Sequence, residues 1–165
     1  MIRIGHGHDT HRLETGKRLR LGGIDIEASV QAIGHSDADC LVHAICDALL
    51  GALTLGDLGR HFPDTDRRYQ AIDSTILLQD IVKMMQTRGF QIGHLDATVH
   101  LEKPKLAPHI HAMRTVLAHH LNTDLERINI KATTGEGIGI IGRGEAIVCD
   151  AVVLLEKRRL NDESS

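Results

Sequence analysis

Apolar and polar positions along the chain fall into segments that read, in order, strand, hairpin, helix, helix, strand, helix, strand, strand. Ile2 and Ile4 alternate with Arg3 and Gly5, which predicts a short opening strand leading into the run His6 to His11. Leu19 and Leu21, then two glycines at 22 and 23, then Ile24 and Ile26 predict a β-hairpin turning at the glycines. Leu41, Ile45, Leu49 and Ala52 recur at helical spacing, so a helix is predicted from near Asp37, with Ser36 as its N-cap and Asp39 in an acidic first turn. A second helix opens at Asp73 and Ser74, turns Ile81, Met84 and Met85 inward and closes at Gly89. Ile92, Ala97, Val99 and Leu101 predict a strand that is broken by Lys103, Pro104 and Lys105. A third helix follows, with Pro108 in its first turn and Ile110, Met113, Leu117 and Leu121 as its core stripe. Ile128 and Ile130 predict a short strand, and the nearly continuous apolar run from Ala146 to Leu155 a central one.

That order is an α+β pattern: a single domain with one mixed β-sheet and helices packed on one face. The uncovered face must be buried by something, so oligomerisation is expected. The domain is placed at residues 1–158, with a polar C-terminal tail at 159–165. At 165 residues and 42% hydrophobic, one domain can bury about 70% of its extended-chain surface without disulfides or a structural metal. The net charge of −3 and an aromatic content of 2% argue against nucleic acid and anionic membranes as partners. Cys40, Cys46 and Cys149 show no CxxC spacing and read as small core residues in a reducing cytoplasm. No apolar run has the length of a membrane span and the N-terminus lacks a signal-peptide core, so the expectation is a cytoplasmic protein. Twelve histidines are the one compositional pointer toward metal or proton chemistry.

The histidines separate into groups. If the backbone stays extended past Gly5, Asp9 and His11 point to one side and His6 and His8 to the other, and either pair can hold a metal. On the first helix Asp39, His43 and Asp47 step along a polar face at four-residue intervals. Asp9, His11 and His43 together supply two imidazoles and a carboxylate with one tetrahedral position open, the ligand set of a catalytic zinc. Asp47, one turn beyond His43, is placed to orient its imidazole. The plainer alternative is a solvated helix face with capping and core histidines, and spacing alone does not bring His43 beside the strand. His109, His111, His119 and His120 read as surface residues of the third helix.

Gly137, Gly139 and Gly142 spell GxGxxG, but a strand rather than a helix follows, and the chain contains no GlyLysSer or GlyLysThr. Thr133, Thr134 and Glu136 beside that flexible backbone suit phosphate oxygens and a hard cation such as Mg²⁺; an ordinary turn between strands is the alternative. No serine nucleophile elbow or Cys and His pairing stands out, so acyl transfer is not supported. From the residues alone, a metal-dependent phosphoesterase and a non-catalytic metal-binding protein also remain open.

Five blocks narrow this further. GHGHDTH at 5–11, GHSDADCLVHAICDALLGAL at 34–53, GDLGRHFPDTD at 56–66, EKPKLAPHI at 102–110 and KATTGEGIGIIGRGE at 131–145 resemble the 2-C-methyl-D-erythritol 2,4-cyclodiphosphate synthase family of the non-mevalonate isoprenoid pathway. The resemblance implies a homotrimer with its sheets facing the three-fold axis and its active sites between subunits. It implies Zn²⁺ held by Asp9, His11 and His43, and Mg²⁺ or Mn²⁺ at Glu136 with the substrate phosphates. It implies release of CMP from 4-diphosphocytidyl-2-C-methyl-D-erythritol 2-phosphate as the 2-phosphate closes on the β-phosphorus. His35, Ser36, Asp57, Leu58, Gly59 and Phe62, followed by Pro63, Asp64, Thr65 and Asp66, would hold the methylerythritol phosphate part beside Asp9 and His11. Leu101, Pro104, Lys105, Thr133 and Thr134 would hold the cytidine diphosphate part, with Glu136, Ile140 and Arg143 nearby. His35 and Thr134 would align and stabilise the reacting phosphates. The chain departs from the family pattern at His8, Gly135, Ile140 and Ile141, and none of these is a proposed metal ligand.

Overall fold

The computed structural model describes residues 1–63 and 65–158. Its main sheet has five strands: β1 (Ile2–Thr15), β4 (Val30–Ala32), β5 (Phe90–His100), β6 (Ile128–Thr133) and β7 (Ala146–Lys157), in the order β4-β1-β7-β5-β6. β7 is central and pairs antiparallel with both β1 and β5, while β5 and β6 run parallel, so the sheet is mixed as the element order predicts. β2 (Arg18–Leu21) and β3 (Ile24–Glu27) form the expected separate hairpin, with Leu21 opposite Ile24 across the two glycines.

β1 is longer than the sequence pattern suggested. It runs through His6 to His11 and on to Thr15 because every residue from Ile2 to Arg12 is paired with β7. Side chains therefore alternate strictly, with Gly5, Gly7, Asp9 and His11 on one face and Ile2, Ile4, His6 and His8 on the other.

One face of the sheet is covered by α1 (Cys40–Ala52), which packs on β1 and β7, with α3 (Ser74–Thr87) against α1 and β5, and α4 (Ile110–Leu121) against α3 and β6. A Cβ built on Gly5 would lie 1.9 Å from the Ala48 carbonyl oxygen, and one on Gly7 1.9 Å from that of Ala44. Two glycines on the same strand face let the helix backbone lie directly on the strand. The core between is aliphatic, built from Leu41, Ile45, Leu49, Leu78, Ile81, Leu95, Ile147 and Val153, and it encloses all three free cysteines.

The start of α1 differs from expectation. Its N-cap is Asp39, which is 0% exposed and accepts from the Val42 amide at 3.0 Å and from Gly22 and Gly23 at 2.9 and 2.7 Å. Ala38 adopts a left-handed φ of 58°, which turns the chain and moves the cap three residues beyond Ser36. Burial pushes the Asp39 carboxyl up, against the pull of its three amide donors.

Two stretches between the expected elements each contain a short helical turn: α2 (Leu58–His61), capped by Asp57, and α5 (Gly139–Gly142). In the glycine-rich loop a Cβ on Gly142 would meet the Gly137 carbonyl carbon at 2.1 Å, so the loop folds tightly on itself, and this explains the glycine pattern without a dinucleotide. The polar tail assigned to 159–165 lies outside the described residues.

The opposite face of the sheet is open. Ile2, Ile4 and Val152 are 63%, 69% and 44% exposed at one end. Nearer the middle Asp150 lies between His8, His100 and His6, at 2.8, 3.1 and 3.5 Å. Among the described residues no helix is long and apolar enough to cross a membrane.

Candidate metal centre and substrate cleft

Because α1 sits on β1, His43 of the helix meets Asp9 and His11 of the strand. His11 Nε2 lies 2.9 Å from Asp9 Oδ2, and His43 Nδ1 lies 3.2 Å from both Asp9 Oδ2 and His11 Nε2. A tetrahedral cation with bonds of about 2.0–2.1 Å separates its ligands by about 3.3 Å, so the three donor atoms already mark one face of such a tetrahedron. Among the described residues this is the one group of three or more ligand-type side chains whose donor atoms converge. The alternation of β1 thus favours Asp9 and His11 over His6 and His8, which sit on the open face.

The ligands are oriented by their other hydrogen bonds. His11 Nδ1–H donates to the Ile33 carbonyl at 2.8 Å, which leaves Nε2 facing Asp9. His43 Nε2 lies 2.8 Å from the Ser74 hydroxyl and 3.0 Å from that of Ser36, which leaves Nδ1 for the centre. Burial works to raise the Asp9 carboxyl, but hydrogen bonds from His11 and His43 outweigh it and hold the group well below the ordinary carboxylate range. Burial likewise lowers His11, and the bond to Asp9 more than reverses it, so the ring titrates above its ordinary value. A cation placed between them would displace those protons and keep Asp9 ionised.

Asp47 does not touch His43. It accepts from the Leu58 amide at 2.7 Å and ties α1 to α2, and Ser74 occupies the orienting position instead. Sequence spacing missed Ser74 because it lies 31 residues from His43, on α3.

The triad lines a cleft of about 310 Å³. Of the residues expected at the methylerythritol end, His35, Ser36, Leu58, Gly59 and Phe62 line it, joined by Tyr69 and Leu77, which sequence reasoning missed. Phe62 and Tyr69 meet edge to face with ring centroids 5.3 Å apart, an aromatic pair whose only sequence signal is that the chain has so few aromatics. Asp57 is occupied as the cap of α2, and Asp66 caps the turn at 67–69 and pairs with Arg68 at 2.6 Å. Pro63, Thr65 and Asp66 lie on the segment following α2 without lining the cleft, and Asp64 falls outside the described residues.

The residues expected at the cytidine end form a second cluster. The Leu101 amide donates to the Thr133 carbonyl at 2.9 Å, joining the ends of β5 and β6, and Pro104 and Lys105 follow directly. Thr134 Oγ1 donates to Glu136 Oε1 at 3.0 Å, and Arg143 pairs with Glu145 at 2.8 Å beyond Ile140. Thr133, Thr134, Glu136, Ile140 and Arg143 are exposed, and none of this cluster lines the cleft beside the triad. In a single chain, therefore, the two expected halves of the site face solvent separately.

Comparisons with known proteins agree with this architecture. A protein of Geobacter sulfurreducens named 2-C-methyl-D-erythritol 2,4-cyclodiphosphate synthase is 53% identical over 157 residues, covering 95% of this chain and all of that one. A solved structure described as 2C-methyl-D-erythritol-2,4-cyclodiphosphate synthase in a CDP-bound form superposes with a TM-score of 0.86 at 38% identity, covering 93% of this chain and all of that one. The bifunctional IspDF of Campylobacter jejuni gives a TM-score of 0.91 at 37% identity over 96% of this chain, which spans 43% of that longer protein. The model of the YgbB family matches residues 2–156, a span that contains the strand bearing Asp9 and His11, the helix bearing His43 and both halves of the expected substrate site; the chain belongs to the YgbB family.

Proposed function

We propose that the chain catalyses the reaction for which its relatives are named. 4-Diphosphocytidyl-2-C-methyl-D-erythritol 2-phosphate is closed to 2-C-methyl-D-erythritol 2,4-cyclodiphosphate, and CMP leaves. The observation that carries this reading is the convergent Asp9, His11 and His43 triad lining a cleft, in a chain of this family. In the reaction a 2-phosphate oxygen forms a bond to the β-phosphorus as the bond from that phosphorus to the CMP oxygen breaks. A phosphate monoester with a second pKa of about 6 is already largely a dianion near pH 7, so no general base is needed. The barrier lies in bringing anions together in line.

Asp9, His11 and His43 would hold zinc, and Glu136 magnesium or manganese; these cations supply the positive charge that offsets phosphate repulsion. His35 and Ser36, with Leu58, Gly59 and Phe62, hold the methylerythritol phosphate against the triad. Phe62 and Tyr69 keep water from that wall. Leu101, Pro104, Lys105 and Thr133 hold the cytidine diphosphate, and His35 and Thr134 align and stabilise the reacting phosphates.

The chain is a homotrimer in this reading. The cytidine-end cluster does not line the cleft of its own chain, so a neighbouring copy completes the site, and the exposed Ile2, Ile4 and Val152 give the copies an apolar face to share about the three-fold axis. Three buried free cysteines suit a cytoplasmic location. Sedimentation velocity should show a three-chain species, and CDP titrated into it should bind; a monomer that binds CDP with full occupancy contradicts the shared site.

Glu136 follows Thr133 and Thr134 in the glycine-rich loop, and its side chain already accepts from Thr134. Glu136→Gln keeps that bond and removes the charge. The Mg²⁺ concentration for half-maximal turnover is expected to rise by about tenfold, equivalent to about 1.4 kcal/mol. An unchanged Mg²⁺ titration removes Glu136 from the cation site.

A further inference from the structure

The His43 ring must offer a lone pair at Nδ1 to serve the triad, so Nε2 must carry the proton. What fixes that choice lies behind the site. His43 Nε2 sits 2.8 Å from the hydroxyl of Ser74, which is 0% exposed, and that hydroxyl bonds in turn to Asp37 Oδ1. Every other partner of Asp37 is an obligate donor: the Asp39 amide on Oδ1 at 3.2 Å, and on Oδ2 the Ser74 amide at 3.1 Å and Arg20 Nε at 3.3 Å. A carboxylate only accepts, so the Ser74 hydroxyl must donate to it and present its lone pairs to His43 Nε2. Ser36 Oγ, 3.0 Å from the same nitrogen and accepting from the Ala38 amide at 3.3 Å, can suit either ring tautomer and selects neither. Arg20 is anchored on its far side by Asp73 at 2.8 Å.

We infer that Asp37, acting through the Ser74 hydroxyl and held by Arg20, is the positioning residue that sets the metal-competent tautomer of His43. This rests on the reading of Asp9, His11 and His43 as a metal centre. The polarity of the relay gives it a distinctive signature. In Asp37→Asn one oxygen becomes an NH₂ group that must face a donor. Only the Ser74 hydroxyl can reverse, and its proton then goes to Nε2 at 2.8 Å in preference to the more distant Ser36 Oγ at 3.4 Å, which drives the ring proton to Nδ1, the wrong nitrogen. Asp37→Ala leaves that hydroxyl free to turn, so the cruder truncation harms the centre less.

The test is Zn²⁺ affinity, measured by competition with a chromophoric chelator in the full chain and the variants, with unfolding curves to confirm folding. Asp37→Asn is expected to weaken Zn²⁺ binding by roughly 10- to 100-fold, the range for groups that orient a metal-bound histidine, and Asp37→Ala by less. Ser74→Ala, which leaves the Asp73 cap of α3 in place, is expected to weaken binding as well, and adding Asp37→Asn to it to cost nothing more. Wild-type affinity in Ser74→Ala or Asp37→Asn, or a larger loss in Asp37→Ala than in Asp37→Asn, overturns the relay and leaves the metal centre standing. A wild-type chain that binds no Zn²⁺ overturns the metal-centre reading and the relay with it.

Discussion

His43→Ala is expected to lose metal and to lower turnover by at least about 10³-fold, roughly 4 kcal/mol of transition-state stabilisation, while the chain stays folded. His43 is the only member of the triad carried by a helix, and its two ring nitrogens bridge the donor atoms of β1 and the serines behind them. Removing the ring leaves Ser74 bonded to Asp37 and Asp9 bonded to His11, so no buried partner is orphaned. Stability should therefore hardly differ from that of the metal-free parent chain, by contrast with most truncations of a buried side chain. Metal content by elemental analysis, turnover and a thermal unfolding curve on the same preparation check all three parts. Normal activity in this variant would remove the triad from the mechanism.

The second large effect is predicted away from any ligand. In Gly7→Ala the new Cβ would lie 1.9 Å from the Ala44 carbonyl oxygen and 2.7 Å from the Ala48 amide, and both are backbone atoms that no rotamer change can move. α1 must lift from β1. The cost is expected at about 3 kcal/mol, at the upper end for overpacking and a large share of a domain's marginal stability. For a domain of this size that lowers Tm by about 6–12 °C. The same displacement separates His43 from Asp9 and His11, so Zn²⁺ affinity should fall even at temperatures where the variant is folded. Gly51→Ala is the control. A Cβ there meets nothing nearer than 3.9 Å, and alanine in a helix interior gains about 0.5–1 kcal/mol over glycine. Equal stability of the two variants would contradict the account of helix-on-strand packing.

These glycines also show where the sequence was informative and where it was not. Alternation along β1 assigned Asp9 and His11 to a common side but left His6 and His8 as an equal alternative, and the helical stripe of α1 placed His43 on the other, polar face. Their meeting was not legible from spacing, although Gly5 and Gly7 on one strand face, opposite the small Ala44 and Ala48, were the physical signal of a close approach. The cap of α1 was misplaced at Ser36. The cap at Asp39 depends on a left-handed turn at Ala38 and on amide donors from the β2–β3 hairpin, both long-range consequences of the fold. The link of Ser74 and Asp37 to His43 was not legible for the same reason, since it spans three segments of chain. β4 has three residues, too few to show a period. The residues expected to hold substrate could be named only through the family resemblance, because exposed loop side chains such as His35, Lys105 and Thr134 carry no pattern that folding physics imposes.

The central claim is cyclisation by a metal-dependent site, and the most direct test is to incubate the purified protein with 4-diphosphocytidyl-2-C-methyl-D-erythritol 2-phosphate and Mg²⁺ and follow products by ³¹P NMR, before and after a chelator. The account predicts CMP together with a cyclic diphosphate, lost on chelation and restored when metal is added back. Inorganic phosphate in place of the cyclic product, or cyclisation that survives complete removal of metal, would contradict it.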